Sequence, residues 1–229
     1  MNTLTLAIPS KGRLMEQAAA VLETVGLSIT RTGTERGYRG QLKGIDGIDV
    51  AFLSAAEIAQ SLREGKLDFG ITGADLLWEK SAAEENLVSV LAPLDFGFAN
   101  VVVAVPQCWL DVASMADLDE VSESFYQRHG RRLRVATKYL NLTRRFFAEK
   151  GVTGYRIVES LGATEGAPAA GTAEVIVDIT TTGSTLTANH LKVLDDGIIL
   201  RSSAVLAASP AAQEDPRAAL LQDRLRLTE

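Results

Sequence analysis

Between Val175 and Asn189 the chain changes character three times. Residues 175–179 form a β-branched apolar run with a single carboxylate, Asp178, inside it. Four hydroxyl residues, Thr181, Thr182, Ser184 and Thr185, then surround Gly183, and helical spacing resumes through Leu186, Ala188 and Leu191. A strand that hands over to a helix through a loop of small residues restricts the fold to an α/β layer with sites at strand ends. It also restricts the chemistry. Loop N–H groups and the positive end of the following helix favour an anion. Asp178 repels an anion and suits the hydroxyl pair of a sugar. The segment therefore predicts a site for a ribose carrying a 5-phosphate.

The rest of the chain repeats the alternation. A strand over residues 4–8 leads to a helix over 13–25, with Ser10 as its cap, Leu14, Ala18, Leu22 and Val25 on one face, and Gly26 as its stop. Residues 48–53 and 68–73 read as strands, each followed by a helix, one through Ile58 and Leu62 to Gly65, the other through Leu76, Leu77 and Trp78. The near-continuous apolar run 100–105, stopped by Pro106, reads as a strand buried on both faces. Strands at 133–136, 155–158, 198–200 and 203–207 follow. Helices are expected at 142–150, bearing Phe146 and Phe147, and at 215–227. Cys108, Phe146 and Phe147 read as core packing. Residues 94–98 look like a crossing into a second unit, and the region after Asn189 like the crossing back. The expected domains are residues 1–95 with 190–229, and residues 96–189, two lobes around a cleft.

Charge and composition narrow the function. The formal charge is −6, which disfavours general binding to nucleic acid, where affinity comes from neutralising phosphates. The basic stretch Arg128-His-Gly-Arg-Arg-Leu-Arg134 reads as a solvated turn before a strand. No apolar run approaches the ~20 residues that span a bilayer. The apolar stretch at residues 4–8 is too short for a signal peptide. With one cysteine the chain has no internal disulfide, so a cytoplasmic setting is expected. Only His129 and His190 are present and no Ser-His-Asp, Cys-His or HExxH arrangement stands out, so a histidine-based mechanism has little to work with.

Five segments in order resemble a known family, the ATP phosphoribosyltransferases that open histidine biosynthesis. They are Pro9-Ser-Lys-Gly-Arg-Leu14, Asp68-Phe-Gly-Ile-Thr-Gly-Ala-Asp-Leu76, Arg134-Val-Ala-Thr-Lys-Tyr139, Gly162-Ala-Thr-Glu-Gly-Ala-Pro168 and Asp178-Ile-Thr-Thr-Thr-Gly-Ser-Thr-Leu186. The length matches the family's short form. The resemblance implies two α/β lobes of the type II periplasmic-binding-protein kind with a central cleft and two crossings. It implies transfer of phosphoribose from 5-phosphoribosyl 1-pyrophosphate to N1 of the ATP adenine, releasing pyrophosphate. N1 has no proton to lose, so the demand falls on alignment and on stabilising the leaving group, by Mg²⁺ carried with the substrate and by arginines.

By resemblance, Glu165 and Asp178 hold the ribose hydroxyls, and Thr181, Thr182, Gly183, Ser184 and Thr185 hold the 5-phosphate. Lys11, Arg13, Gly73 and Lys138 face ATP or pyrophosphate, and Tyr139 is a further contact candidate. Arg36 and Arg39 flank a glycine-rich turn, residues 33–40, and Arg36 is favoured as an arginine reaching the leaving group across a dimer. No residue is expected to ligate metal directly. The implied assembly is a homodimer joined by a regulatory subunit related to histidyl-tRNA synthetase. One segment departs from the family pattern: Ser54 stands where an arginine is usual, Glu57 supplies the acid, and Ala59 replaces a proline. Two other readings compete, a periplasmic-type solute-binding module and a phosphoribosyltransferase with another acceptor. The second is weakened because the strand before the loop carries one acid instead of a pair.

Overall fold

The computed structural model describes residues 3–31, 38–80 and 88–226. The chain forms two compact units, Met1–Phe98 with Ser202–Glu229, and Ala99–Arg201. Strands of the first unit are β1 (Leu4–Pro9), β2 (Ser28–Arg31), β3 (Arg39–Lys43), β4 (Ile48–Leu53), β5 (Phe69–Gly73), β6 (Ser89–Pro93) and β12 (Ala204–Ala208). They order as β2-β3-β4-β1-β5-β12-β6, with β1 parallel to β4 and β5. Helices α1 (Gly12–Thr24), α2 (Ala55–Arg63), α3 (Ala74–Lys80) and α7 (Pro216–Arg226) complete the unit.

Strand alternation explains how this sheet is covered on both faces. Leu6 and Ile8 of β1 and Leu206 of β12 join Leu22, Leu221 and Leu225 in one core. The intervening Ala7, Val205 and Ala207 join Ile58 and Leu62 of α2 and Leu77 of α3 in another.

The second unit contains β7 (Ala99–Pro106), β8 (Leu133–Thr137), β9 (Tyr155–Glu159), β10 (Val175–Thr180) and β11 (Leu191–Ser202), ordered β11-β7-β10-β8-β9. Its helices are α4 (Met115–His129), α5 (Leu140–Glu149) and α6 (Ser184–Ala188). β8 runs parallel to both β9 and β10, so the C-terminal ends of all three emerge at one sheet edge. The β-branched run of β10 is the sheet's centre, with Val175, Ile176 and Val177 fully buried between β7 and β8.

Several expectations from the sequence are corrected. Ser10 does not cap α1: its N–H donates to the Leu53 carbonyl at the end of β4, and the helix starts at Gly12 with Lys11 as N-cap. Gly12 takes a φ of 76°, the left-handed value that lets the chain turn from strand into helix. Helix α6 lasts five residues, and Leu191 instead opens β11. The return crossing consequently lies at residues 201/202 and not 189/190, because β11 stays in the second sheet throughout. Cys108 is exposed, not core. Arg39 and Gly40 belong to β3, where Gly40 pairs with Val50.

The basic stretch before β8 is more than a solvated turn. Glu174 accepts from the Arg131 and Arg134 guanidiniums and from the Arg134 N–H, joining the start of β8 to the segment before β10. Burial pushes the Glu174 carboxyl up, but the bonds from Arg134 and Arg131 outweigh it and hold the group at about 2.

Candidate active site

Three strand ends of the second unit define a cavity of about 280 Å³. Lys138 follows β8, the turn from Leu161 to Glu165 follows β9, and Asp178, Ile179 and Thr180 end β10; Thr185 and Leu186 of α6 complete the lining. Parallel strands bring these segments together although they lie up to 48 residues apart in sequence (Lys138 to Leu186).

Each wall is fixed locally. Ser160 N–H donates to the Thr137 carbonyl, tying the start of the turn after β9 to the end of β8. The turn closes into one 3₁₀ turn, Thr164–Gly166, which places Glu165 on the cavity. Ala163 before it adopts φ 50° and ψ 39°, a left-handed conformation unusual for a residue with a side chain. Asp178 is half-buried, and its Oδ1 accepts from the Ile179 N–H at 2.8 Å. Burial lifts its carboxyl above the usual range and the neighbouring Glu165 charge adds to this, while the Ile179 N–H and the Lys138 ammonium oppose it. Lys138 is exposed, its Nζ 5.0 Å from the Tyr139 ring centroid. Tyr139 itself is buried and does not line the cavity.

The loop after β10 is organised by its own hydroxyls. Gly183 N–H donates to Thr180 Oγ1 at 2.8 Å, and Ser184 N–H donates to Thr182 Oγ1 at 3.3 Å. Thr182 Oγ1 in turn donates to Ser184 Oγ. Gly183 has φ 75°, which reverses the chain so that α6 begins at once. Thr181, Thr182, Ser184 and Thr185 remain exposed. This edge thus presents two carboxylates, one ammonium and a ring of hydroxyls and amides. Such a set complements a molecule bearing both hydroxyls and an anion.

Three further predicted residues, Lys11, Arg13 and Gly73, lie in the first unit. Lys11 and Arg13 are exposed at the turn from β1 into α1. Gly73 ends β5, the parallel neighbour of β1, so the three share one edge of that sheet. A Cβ at Gly73 would collide with the Asp75 carboxylate. Asp75 is buried and bonded to Ser202, its N–H donating to Ser202 Oγ and its Oδ1 accepting from it. The sequence reading missed Asp75, and also Thr180, whose position three residues before Gly183 is the spacing of a hydroxyl turn. Arg36 lies outside the described residues. Among the described residues no three acidic, histidine or cysteine side chains cluster as a metal site.

The family model of ATP phosphoribosyltransferase matches residues 54–227. The chain belongs to the ATP phosphoribosyltransferase family. An ATP phosphoribosyltransferase of Mesorhizobium japonicum is 60% identical over 96% of this chain and 95% of its own length. One from Rhodopseudomonas palustris is 61% identical but longer, and the chain spans 63% of it. Among solved structures, the ATP phosphoribosyl transferase (HisG:HisZ) complex from Thermotoga maritima matches with TM-score 0.73 at 26% identity, covering 98% of both chains. A periplasmic sulfonate-binding protein from Methylobacillus flagellatus has the same fold type, with TM-score 0.57 at 14% identity over the whole of this chain and 68% of that one. The fold is therefore α/β of the type II periplasmic-binding-protein kind. The activity is ATP phosphoribosyl transfer, the first step of histidine biosynthesis.

The segment at Ser54 has a local structural role. Ser54 caps α2 in a reciprocal box, with Glu57 N–H donating to Ser54 Oγ and Ser54 N–H donating to Glu57 Oε2. Ala59 is buried inside the same helix, where a proline would remove a helical hydrogen bond. In this chain the segment builds the helix and supplies no guanidinium.

Proposed function

We propose that the cavity at the ends of β8, β9 and β10 holds the 5-phosphoribosyl 1-pyrophosphate donor. Glu165 and Asp178 accept hydrogen bonds from the ribose hydroxyls. Thr181, Thr182, Gly183, Ser184 and Thr185 receive the 5-phosphate, whose oxygens take over the Gly183 and Ser184 N–H groups now bonded to threonine hydroxyls. The observation that carries this reading is the convergence of Lys138, Glu165, Asp178 and Thr185 on one cavity within a single unit. Lys138 in the second unit, and separately Lys11, Arg13 and Gly73 in the first, are phosphate-binding residues for ATP or pyrophosphate in this reading. Arg13 does so through the paired N–H groups of its guanidinium. Arg36 acts on the leaving group from a second copy.

The reaction asks little of a base. The N1 lone pair of adenine bonds to C1 of the ribose while the C1–O bond breaks and its electron pair leaves with pyrophosphate. Mg²⁺ fits the oxygen donors available, since it binds through one or two carboxylates, water and substrate phosphates. Asp178 and Glu165 are the side chains that would meet it, through water, and its contribution is to neutralise charge on the departing pyrophosphate. A homodimer with a histidyl-tRNA-synthetase-like regulatory subunit, working in the cytoplasm, is the proposed assembly. The Thermotoga neighbour, itself a HisG:HisZ complex, supports that partner class. The test is pyrophosphate release from ATP plus 5-phosphoribosyl 1-pyrophosphate, with and without the regulatory subunit. Turnover is expected with the subunit present, and none in either case would overturn the proposal.

A further inference from the structure

Leu161 is 85% exposed, yet it lines the same cavity as Lys138, Glu165 and Asp178. It belongs to no core. The turn that carries it is nonetheless fixed at several points. The Ser160 N–H is bonded to Thr137, Thr164 Oγ1 donates to Ser160 Oγ at 3.0 Å, and Thr164 is buried. Gly166 and Ala167 N–H groups return to the carbonyls of Ala163 and Thr164. Ala163 is held left-handed within this turn, one of two non-glycine residues at positive φ among the described residues. A fixed and strained turn thus displays an apolar side chain to solvent beside a cavity that also carries Lys138, Glu165, Asp178 and Thr185. Strain of this kind persists where surrounding structure enforces it, and it concentrates at ligand sites.

What such a leucine complements is the apolar part of a polar ligand. In a phosphoribosyl donor that part is the sugar ring with its C–H edges. The chemistry supplies a reason to cover it. As the C1–O bond breaks, positive charge grows at C1, and water competes with adenine N1. In the competing step a water oxygen bonds to C1, the same bond breaks, pyrophosphate leaves with its electron pair, and the water's proton passes to solvent. The product is ribose 5-phosphate. Both routes release pyrophosphate, but only transfer consumes ATP.

We infer that Leu161 covers the ribose of the bound donor and keeps water from C1, so that it sets the ratio of transfer to hydrolysis. This rests on the donor site proposed above. The test uses the full chain with its regulatory subunit and compares wild type with Leu161→Ser, Leu161→Ala and Leu161→Met. Pyrophosphate and phosphoribosyl-ATP are counted in the same reaction. Wild type and Leu161→Met are expected to release one pyrophosphate per phosphoribosyl-ATP. Leu161→Ser and Leu161→Ala should release several-fold more pyrophosphate than product and form ribose 5-phosphate, with unfolding temperatures unchanged. A ratio unchanged in both variants overturns the inference, as does an equal fall of both products. Asp178→Asn separates the two claims: if it leaves the donor's KM unchanged the donor site itself is wrong, and if it raises that KM while the Leu161 ratio stays at wild type, only the role of Leu161 fails.

Discussion

Asp178 and Glu174 are both acids in the second unit, and their surroundings move them in opposite directions. Glu174 is held at about 2 against an ordinary 4.5, chiefly because Arg134 and Arg131 outweigh its burial. A depressed carboxyl stabilises the fold above its unfolded value and loses that contribution as pH falls from 4.5 toward 2. The gap corresponds to about 3 kcal/mol at most. Glu174→Gln should therefore lower stability at neutral pH by about 1–3 kcal/mol and flatten the acid limb of a urea-midpoint-versus-pH curve. Asp178 is raised by burial and carries the reverse sign: its ionisation opposes folding once pH exceeds the unfolded value. Asp178→Asn is then expected to raise the unfolding temperature of the ligand-free protein at neutral pH while impairing donor binding. An unchanged or lower unfolding temperature would show that the Asp178 charge is better solvated than its burial implies. Sequence alone marked Asp178, because a lone acid inside an apolar run is conspicuous. It did not mark Glu174, whose meaning depends on two arginines about forty residues away.

Elements announced themselves in the sequence where the pattern of apolar residues was clean. The buried strands β7 and β10 follow from near-continuous apolar runs, that of β10 broken only by Asp178, and α2 from its spacing of Ile58 and Leu62. β11 was legible only in part, since Asp195 and Asp196 are exposed in its middle and read as a break. The buried face of α4 includes Ser122, a polar residue where an apolar one marks a helix. Gly154 packs so closely there that its Cβ would collide with Ser122 Oγ. Caps were the other blind spot, because Ser10 and Ser54 look alike in sequence and only Ser54 is free of a strand bond. Ser54→Ala should cost about 1 kcal/mol in chemical unfolding, with the KM for the donor unaffected. Gly183→Ala forces a side chain into the left-handed region at the start of α6. It should cost about 1–2 kcal/mol and weaken the donor, with the loss in KM and not in ATP affinity.

At the scale of the whole chain, five short segments in order were enough to place it in its family, and the family match and relatives agree. The division of labour between units was less legible. The region after Asn189 read as the crossing back to the first unit, but the chain first completes β11. With β11 assigned to the second sheet, every residue proposed for the ribose and its phosphate belongs to the unit Ala99–Arg201, and Lys11, Arg13 and Gly73 belong to the other. The central claim is that donor recognition resides at the strand ends of this second unit. It is tested most directly by titrating Asp178→Ala separately with 5-phosphoribosyl 1-pyrophosphate and with ATP. The account predicts that donor affinity falls at least tenfold, about 1.4 kcal/mol, while ATP affinity stays near wild type. Equal losses for both ligands, or no loss for the donor, would contradict it.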